Sequence, residues 1–285
     1  MPFDNAYEAI TEENDHTKWA FGTGFDDPLA GVDPSVPDGM DAADLATYSL
    51  MLGDDALIMS HRLSEWCTNA PELEDEVALA NVALDLLGQA RLLLTRAAQA
   101  SGAGDEDTLA YLRDERAFRN VRLVELARGD FAHEIARLLV FSTWRLALLE
   151  RLVDSPDPVL AAIATKAVKE LTYHRDYAAG WTIRLGDGTD YSHERIAAGL
   201  AAIWPYTAEL FTPHPVELVD PSRVRTEFDA VIASVLDAAG LSVPDATPMA
   251  TVSGRSGRDG LHTEAMGYLL AEMQSVARAN PGATW

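Results

Sequence analysis

Apolar residues recur every three or four positions along four long stretches of the chain, and this spacing predicts amphipathic α-helices. Clusters of Gly, Pro, Ser and Asp separate the stretches and predict turns between them. The predicted helices cover about residues 41–66, 71–101, 135–153 and 157–185. Four helices of about 28 residues joined by short connections are typical of a helical bundle.

The regions on either side of this core bundle (41–187) have different patterns. Residues 1–40 combine Gly and Pro with many acidic residues, so we expect an acidic, flexible extension. Three shorter periodic stretches follow the bundle, near 193–210, 222–239 and 262–279. Because they show no second core, the sequence predicts one all-α domain over 41–285, with the additional C-terminal helices (190–285) packed across the bundle.

The net charge of −23 is the most unusual bulk property of this chain of 285 residues. Such a charge repels nucleic acid and anionic membranes, so we predict that the chain binds neither. Either a basic partner docks on the acidic surface, or the acids maintain solubility in a salty cytoplasm. Their even spread along the chain favours the second interpretation.

Compartment is indicated by cysteine usage and by the N-terminus. Cys67 is the single cysteine, which excludes an internal disulfide and favours a reducing environment. The first residues are too acidic for a signal peptide, and no uninterrupted apolar run reaches the roughly 20 residues that cross a bilayer. We therefore predict a cytoplasmic protein.

Two of the predicted helices place residues on their inward stripes at the spacing of a metal-binding motif. In ferritin-like four-helix oxygenases, two helices each carry Glu-x-x-His and the other two each supply a Glu. Here the corresponding positions are Leu86 with Gln89, and Leu171 with His174. Leucine offers no lone pair, and a neutral amide is a poor substitute for a carboxylate or imidazole. The sequence therefore predicts a ferritin-like four-helix bundle with a degenerate di-iron site, and no metal or cofactor held by this chain.

A lone histidine on a core stripe is more often a hydrogen-bonded core residue than a metal ligand. We expect His174 to be of this kind, with Gln89, Asp85 or Glu170 as its partner.

The other candidate motifs have simple interpretations. The one literal Glu-x-x-His, Glu13 with His16, lies in the polar extension without a second copy and is attributed to chance. Asp130, in an Asp-x-x-His spacing with His133, is predicted to cap a helix, and two further such spacings fall in or beside loops. Cys67 is predicted to be a small core residue and not a nucleophile.

One basic run interrupts this acidic chain, and it consists of Arg113, Arg116, Arg119, Arg122 and Arg128. The simpler interpretation is solvated pairing with the neighbouring acids Asp114, Glu115 and Glu125. The alternative is contact with a partner or an acidic ligand, for which Arg113, Arg116 and Arg119 are the candidates.

Several longer runs carry a resemblance to a known family. Among them are Arg62-Leu63-Ser64-Glu65-Trp66-Cys67, Leu84-Asp85-Leu86-Leu87-Gly88-Gln89-Ala90-Arg91 and Asp259-Gly260-Leu261-His262-Thr263-Glu264. In these runs the chain resembles the family of ferritin-like C subunits of bacterial phenylacetyl-CoA epoxidases, the ring 1,2-phenylacetyl-CoA oxygenase complexes. The resemblance covers about residues 41–285, apart from most of 212–250.

The resemblance implies a structural, non-catalytic subunit in aerobic phenylacetate catabolism. It implies a hetero-oligomer in which this chain stabilises a related catalytic subunit, and that partner carries the di-iron centre and binds the CoA thioester. A homodimer is the form expected of the isolated chain. The catalytic relative would show Asp-Glu-x-Gly-His at 85–89 and Glu-x-x-His at 171–174, where this chain has leucines and Gln89.

Two alternatives remain open at this point. In the first, the chain is a divergent stand-alone di-metal oxygenase with a shifted ligand set. That set would comprise Asp54, Asp55, Glu65, Asp85, Glu170 and His174. In the second, arginines of the 113–128 run form part of a CoA pocket at the subunit interface.

Overall fold

The computed structural model describes residues 29–283, and within that range the chain is helical, without a β-strand. Its α-helices are α1 Ala42–Ser64, α2 Leu73–Ser101, α3 Glu106–Tyr111, α4 Phe131–Leu152, α5 Pro158–Gly186, α6 Asp190–Ile203, α7 Arg225–Ala238, α8 Glu264–Met273 and α9 Ser275–Ala279. Short 3-10 turns connect several of them. The predicted all-α class is confirmed.

The four long helices α1, α2, α4 and α5 form the ferritin-like four-helix bundle. Helix α1 packs along α2, α4 packs along α5, and α2 lies beside α5. Their inward side chains join in one continuous hydrophobic core. Each fully buried Leu, Ile or Phe contributes roughly 1.5–3 kcal/mol of stability relative to an exposed one, so this core holds the helices in register.

Aspartate side chains fix the starts of three of the long helices. Asp41 accepts a hydrogen bond from the Ala43 N–H (2.8 Å) before α1, and Asp157 accepts one from the Leu160 N–H (2.8 Å) before α5. Asp130 accepts one from the N–H of His133 (2.8 Å) before α4, which confirms the predicted cap.

The segment between α2 and α4 is more buried than its polar composition suggests. It forms α3 and two 3-10 turns, Glu115–Ala117 and Arg122–Glu125. Phe118, Val121 and Leu123 from this segment lie in the core. The predicted helix near 193–210 is α6 followed by a 3-10 turn, and the one near 262–279 is divided into α8 and α9 at Gln274.

The described part of the predicted acidic extension, residues 29–40, contacts the bundle. Its apolar side chains that pack against the core are Leu29, Val32, Val36 and Met40. The fully buried guanidinium of Arg96 on α2 donates to the backbone oxygen of Ser35 (3.3 Å) and forms an ion pair with Asp157. Residues 29–40 are therefore held against the bundle, while 1–28, with the Glu13 and His16 motif, lie outside the described residues.

Among the described helices, α2 is the one long and apolar enough to cross a membrane by length and composition. Its sequence holds no uninterrupted apolar run of that length, because polar residues divide it. Of its most apolar 18-residue stretch, 44% is buried inside the bundle. Core helices of soluble proteins can have the same length and apolar composition. Several apolar side chains on its remaining face are exposed.

Candidate functional site

The four positions predicted for a degenerate metal centre all lie inside the bundle. Leu86 and Gln89 are buried on α2, and Leu171 and His174 are buried on α5. Both leucines belong to the continuous hydrophobic core. Where an iron-binding bundle needs carboxylates, this chain has apolar side chains that fill the interior.

His174 forms a hydrogen bond across the bundle. Its Nε2 lies 3.0 Å from Oδ2 of Asp85 on α2, so one of the three partners considered from the sequence is the observed one. The imidazole is fully buried, whereas the Asp85 carboxylate is 38% exposed. Nδ1 of His174 has no hydrogen-bond partner among the described residues. This geometry is that of a core histidine that joins two helices.

Gln89 connects three helices through its amide group. Its Nε2 donates to Oε2 of Glu170 on α5 (3.0 Å), and its Oε1 accepts from Nε of Arg145 on α4 (3.1 Å). Glu170 in turn pairs with Lys166 at 2.8 Å. The donor and the acceptor of the amide are thus both engaged within the protein.

A guanidinium lies in the interior beside the degenerate positions. Arg145 is fully buried, and its Nη1 donates to the backbone oxygen of Leu52 on α1 (3.2 Å). Burial lowers the pKa of Arg145 to about 10, although nearby Asp55 opposes this shift. Since that pKa is far above 7, the bundle interior holds a fixed positive charge at neutral pH, and a metal cation would be repelled there.

Arg145 was not identified from the sequence as part of the site. The apolar spacing along 135–153 predicts that Leu146 follows Ser142 on the inward stripe of this helix, although position 145 fits the helical spacing equally well. In the structure α4 is buried on nearly every side, because α6 covers its other face. Leu146 and Arg145 are therefore both buried. The sequence signal that could have identified Arg145 was a charged residue at the spacing of the core positions.

The carboxylates named for a shifted metal site do not converge in the structure. Each one is paired with a separate base: Asp54 with Arg113, Asp55 with Arg258, Glu65 with Arg62, Asp85 with His174, and Glu170 with Lys166. Within residues 29–283, no group of three or more His, Cys, Asp or Glu side chains is placed to hold a metal ion. The shifted ligand set is therefore not assembled in the described part of the chain.

The arginine run does not pair with its sequence neighbours as predicted. Arg113 donates to the buried Asp54 of α1 (Nη1 to Oδ2, 3.0 Å), and Arg122 pairs with Glu209 at 2.9 Å. Both guanidinium groups are largely buried, because the segment folds back onto the core instead of lying in solvent.

The other two arginines named as partner or CoA contacts are placed differently. Nη1 of Arg119 donates to the backbone oxygens of Arg116 (2.8 Å) and Phe118 (2.9 Å). The Arg116 side chain is exposed and makes no hydrogen bond or ion pair with the described residues. Of Arg113, Arg116 and Arg119, Arg116 is therefore the exposed one.

The prediction that Cys67 is a small core residue is wrong, because this thiol is exposed. It lies in the turn that follows the end of α1, where the core stripe of the helix no longer extends.

His262 has a structural role that the sequence did not indicate. It stands three residues after Asp259, in one of the two Asp-x-x-His spacings that fall in or beside loops. Its Nδ1 lies 2.7 Å from Oε2 of the buried Glu125, and its Nε2 lies 3.2 Å from the Phe118 backbone oxygen. Burial lowers the pKa of His262, but its contacts with Glu125 outweigh this and leave the pKa above its ordinary value. The pair joins the segment before α8 to the 3-10 turn before α4.

The chain is similar to known proteins over most of its length. Residues 34–285 match the family described as "Phenylacetic acid catabolic protein". The chain is 46% identical over 249 residues to the C subunit of the 1,2-phenylacetyl-CoA epoxidase of Escherichia coli (strain K12). That alignment covers 85% of this chain and 99% of the relative. The similarity therefore extends across the four-helix bundle and the C-terminal helices.

Proposed function

Because this chain belongs to the phenylacetic acid catabolic protein family, we propose that it is a structural, non-catalytic subunit of a multi-subunit phenylacetyl-CoA 1,2-epoxidase. Its relative from Escherichia coli is named as a subunit of such an enzyme. In this proposal the chain pairs with a related catalytic subunit in the cytoplasm and stabilises it. The partner holds the di-iron centre and carries out the epoxidation.

One observation carries the proposal: Leu86 and Leu171 are buried where a ferritin-like oxygenase needs carboxylates. Such a centre takes about six protein ligands, about four of them carboxylates. The four corresponding positions here offer one imidazole and one amide. Both are already hydrogen-bonded, His174 to Asp85 and Gln89 to Glu170 and to the guanidinium of Arg145. This set of side chains does not fit a di-iron group, so the proposal assigns the metal chemistry to the partner.

The same substitutions suit a scaffold that folds without metal. Buried carboxylates without a cation cost several kcal/mol each, or take up protons instead. Leucine at the same positions contributes roughly 1.5–3 kcal/mol through burial. A bundle with Leu86 and Leu171 is therefore expected to be stable in the absence of iron.

A reconstitution assay tests the proposal. The purified chain, the purified catalytic subunit and their mixture are each given phenylacetyl-CoA, O₂ and a reductase that supplies electrons, and the epoxide is measured. We expect no product from the chain alone, and greater activity and thermal stability of the catalytic subunit in the mixture. Turnover by the chain alone would contradict the proposal, as would full activity of the catalytic subunit without it.

A further inference from the structure

The solvent-facing side of α2 is apolar, whereas the outer face of a bundle helix is normally polar. Leu73, Val77, Leu84 and Leu87 have exposed fractions of 70%, 52%, 63% and 39%. With the half-buried Ala80 among them, they are spaced four, three, four and three residues apart. This alternation is the spacing of apolar residues along the contact line of a coiled coil. These five residues are called the outer stripe below.

A groove lies beside the C-terminal half of the outer stripe. It has a volume of about 410 Å³ and is bordered by Leu84, Leu87 and Gly88 of α2 and by Tyr111 of α3. A Cβ atom added at Gly88 would meet no atom within 4 Å. A partner helix can therefore approach the α2 backbone closely at Gly88 and place side chains in the groove.

Acidic side chains flank both the outer stripe and the groove. Glu74 and Glu76 stand on either side of the stripe, at positions that pair with charges of the partner helix in a coiled coil. Glu106 and Asp107 line the groove, where burial and the neighbouring Glu106 raise the pKa of Asp107. Among the described residues that line the groove, Arg91 is the one cation, and it pairs with Glu106 at 3.4 Å.

The acidic side chains beside the outer stripe and the groove determine which kind of molecule can bind there. A second copy of the chain would bring the same acidic flanks and a further net charge of −23, so like charges would oppose its docking. An anionic bilayer would be repelled for the same reason. A helix with apolar residues at the same spacing and with Lys or Arg beside them would complement both features.

We propose that the outer stripe and the groove are the docking face for an amphipathic, basic-flanked helix of the catalytic subunit. The stripe from Leu73 to Leu87 extends over about 21 Å, enough to contact about four turns of such a helix. This inference rests on the proposed function, and it adds the surface and the chemistry by which the two subunits recognise each other.

Binding of the separately purified catalytic subunit to variants of the full chain tests this inference. Leu84→Glu places a charge in the centre of the contact, and we expect at least a 100-fold rise in Kd. Glu74→Lys with Glu76→Lys is expected to raise Kd about tenfold and to reduce its dependence on NaCl. Tyr191→Glu on α6, also at an exposed position, is the matched control and should bind like the wild type. Circular dichroism and Tm show that each variant is folded, and Leu84→Gln replaces Leu84→Glu if the latter is not.

The outcomes separate this inference from the proposed function. If the wild-type chain binds the catalytic subunit and the Leu84 variant binds equally well, the docking face is wrong while the proposed function stands. If the wild-type chain does not bind at all, the proposed function fails as well. If the isolated wild-type chain is a dimer that Leu84→Glu dissociates, a second copy covers this face and the inference is overturned.

Discussion

Replacement of Arg145 by methionine tests the charge in the bundle interior most sharply. Burial lowers the pKa of Arg145 from 12.5 to about 10, which corresponds to about 3 kcal/mol for keeping the guanidinium charged in the folded protein. Because a lowered pKa disfavours the charged form, this cost applies at every pH below the folded pKa and is relieved only above about pH 10. Methionine fills a similar space and carries no charge, so it does not have this cost.

The opposing effect is the loss of the two hydrogen bonds that Arg145 donates, to Gln89 and to the Leu52 backbone oxygen. Without Arg145, the Oε1 atom of Gln89 has no partner, which costs about 1–3 kcal/mol for a buried acceptor. We therefore expect Arg145→Met to leave the free energy of unfolding unchanged or to raise it by up to about 2 kcal/mol. Gln89→Leu alone removes the acceptor of a buried cation and should lower it by about 2 kcal/mol. The double variant should recover at least that amount.

Urea unfolding followed by circular dichroism measures these free energies, and Arg137→Met is the matched control. Arg137 lies on the same helix and is equally buried, but it is paired with the buried Glu134. Its removal leaves an unpaired buried carboxylate and should cost about 3–5 kcal/mol. If Arg145→Met destabilises the chain as much as Arg137→Met does, the account of a net unfavourable interior charge is refuted.

Three further predictions follow from buried or exposed charges. Leu86→Glu should lower the free energy of unfolding at pH 7 by about 3 kcal/mol or more, and this loss of stability should become smaller in acid, where the new carboxyl is protonated. The same loss at pH 5 as at pH 7 would show that the carboxyl is not buried away from water. Because the pKa of His262 is raised in the folded protein, its protonation stabilises the fold at pH values below the ordinary histidine pKa of about 6.5, and this stabilisation is lost as the pH rises through the folded-state pKa. Between pH 6 and 8, the Tm of His262→Gln should therefore vary less than the Tm of the wild type. If Arg116 contacts the CoA, Arg116→Ala should raise the KM of the assembled complex for phenylacetyl-CoA without affecting assembly, and an unchanged KM excludes this contact. Arg113→Ala should instead lower the Tm of the chain.

The long helices and their inward faces could be predicted from the sequence because their periodicity is unambiguous. The leucines at positions 86 and 171 are within such stripes, so their burial followed from spacing alone. For the buried His174, the sequence limits the hydrogen-bond partner to three candidates. The structure selects Asp85, because side-chain rotamers and the rotation of the helices about their axes decide which candidate is within reach.

What could not be predicted depended on contacts between distant segments. Arg113 is 59 residues from Asp54, and the two meet only because the segment after α3 folds onto α1. Arg145 and Leu146 both fit a helical stripe, and which of them faces α2 depends on the packing of α6 over α4. Cys67 was assigned to the core from its residue type, whereas the end of α1 at Ser64 leaves it in an exposed turn.

The iron content of the chain, purified alone and then exposed to excess ferrous iron, tests the central claim most directly. The catalytic subunit treated in the same way is the positive control. We predict less than one iron per chain after desalting, because Leu86 and Leu171 supply no ligand and Arg145 carries a positive charge beside them. Two bound irons per chain, with an absorption band that depends on them, would show that the bundle interior holds a metal centre and would contradict the proposed non-catalytic role.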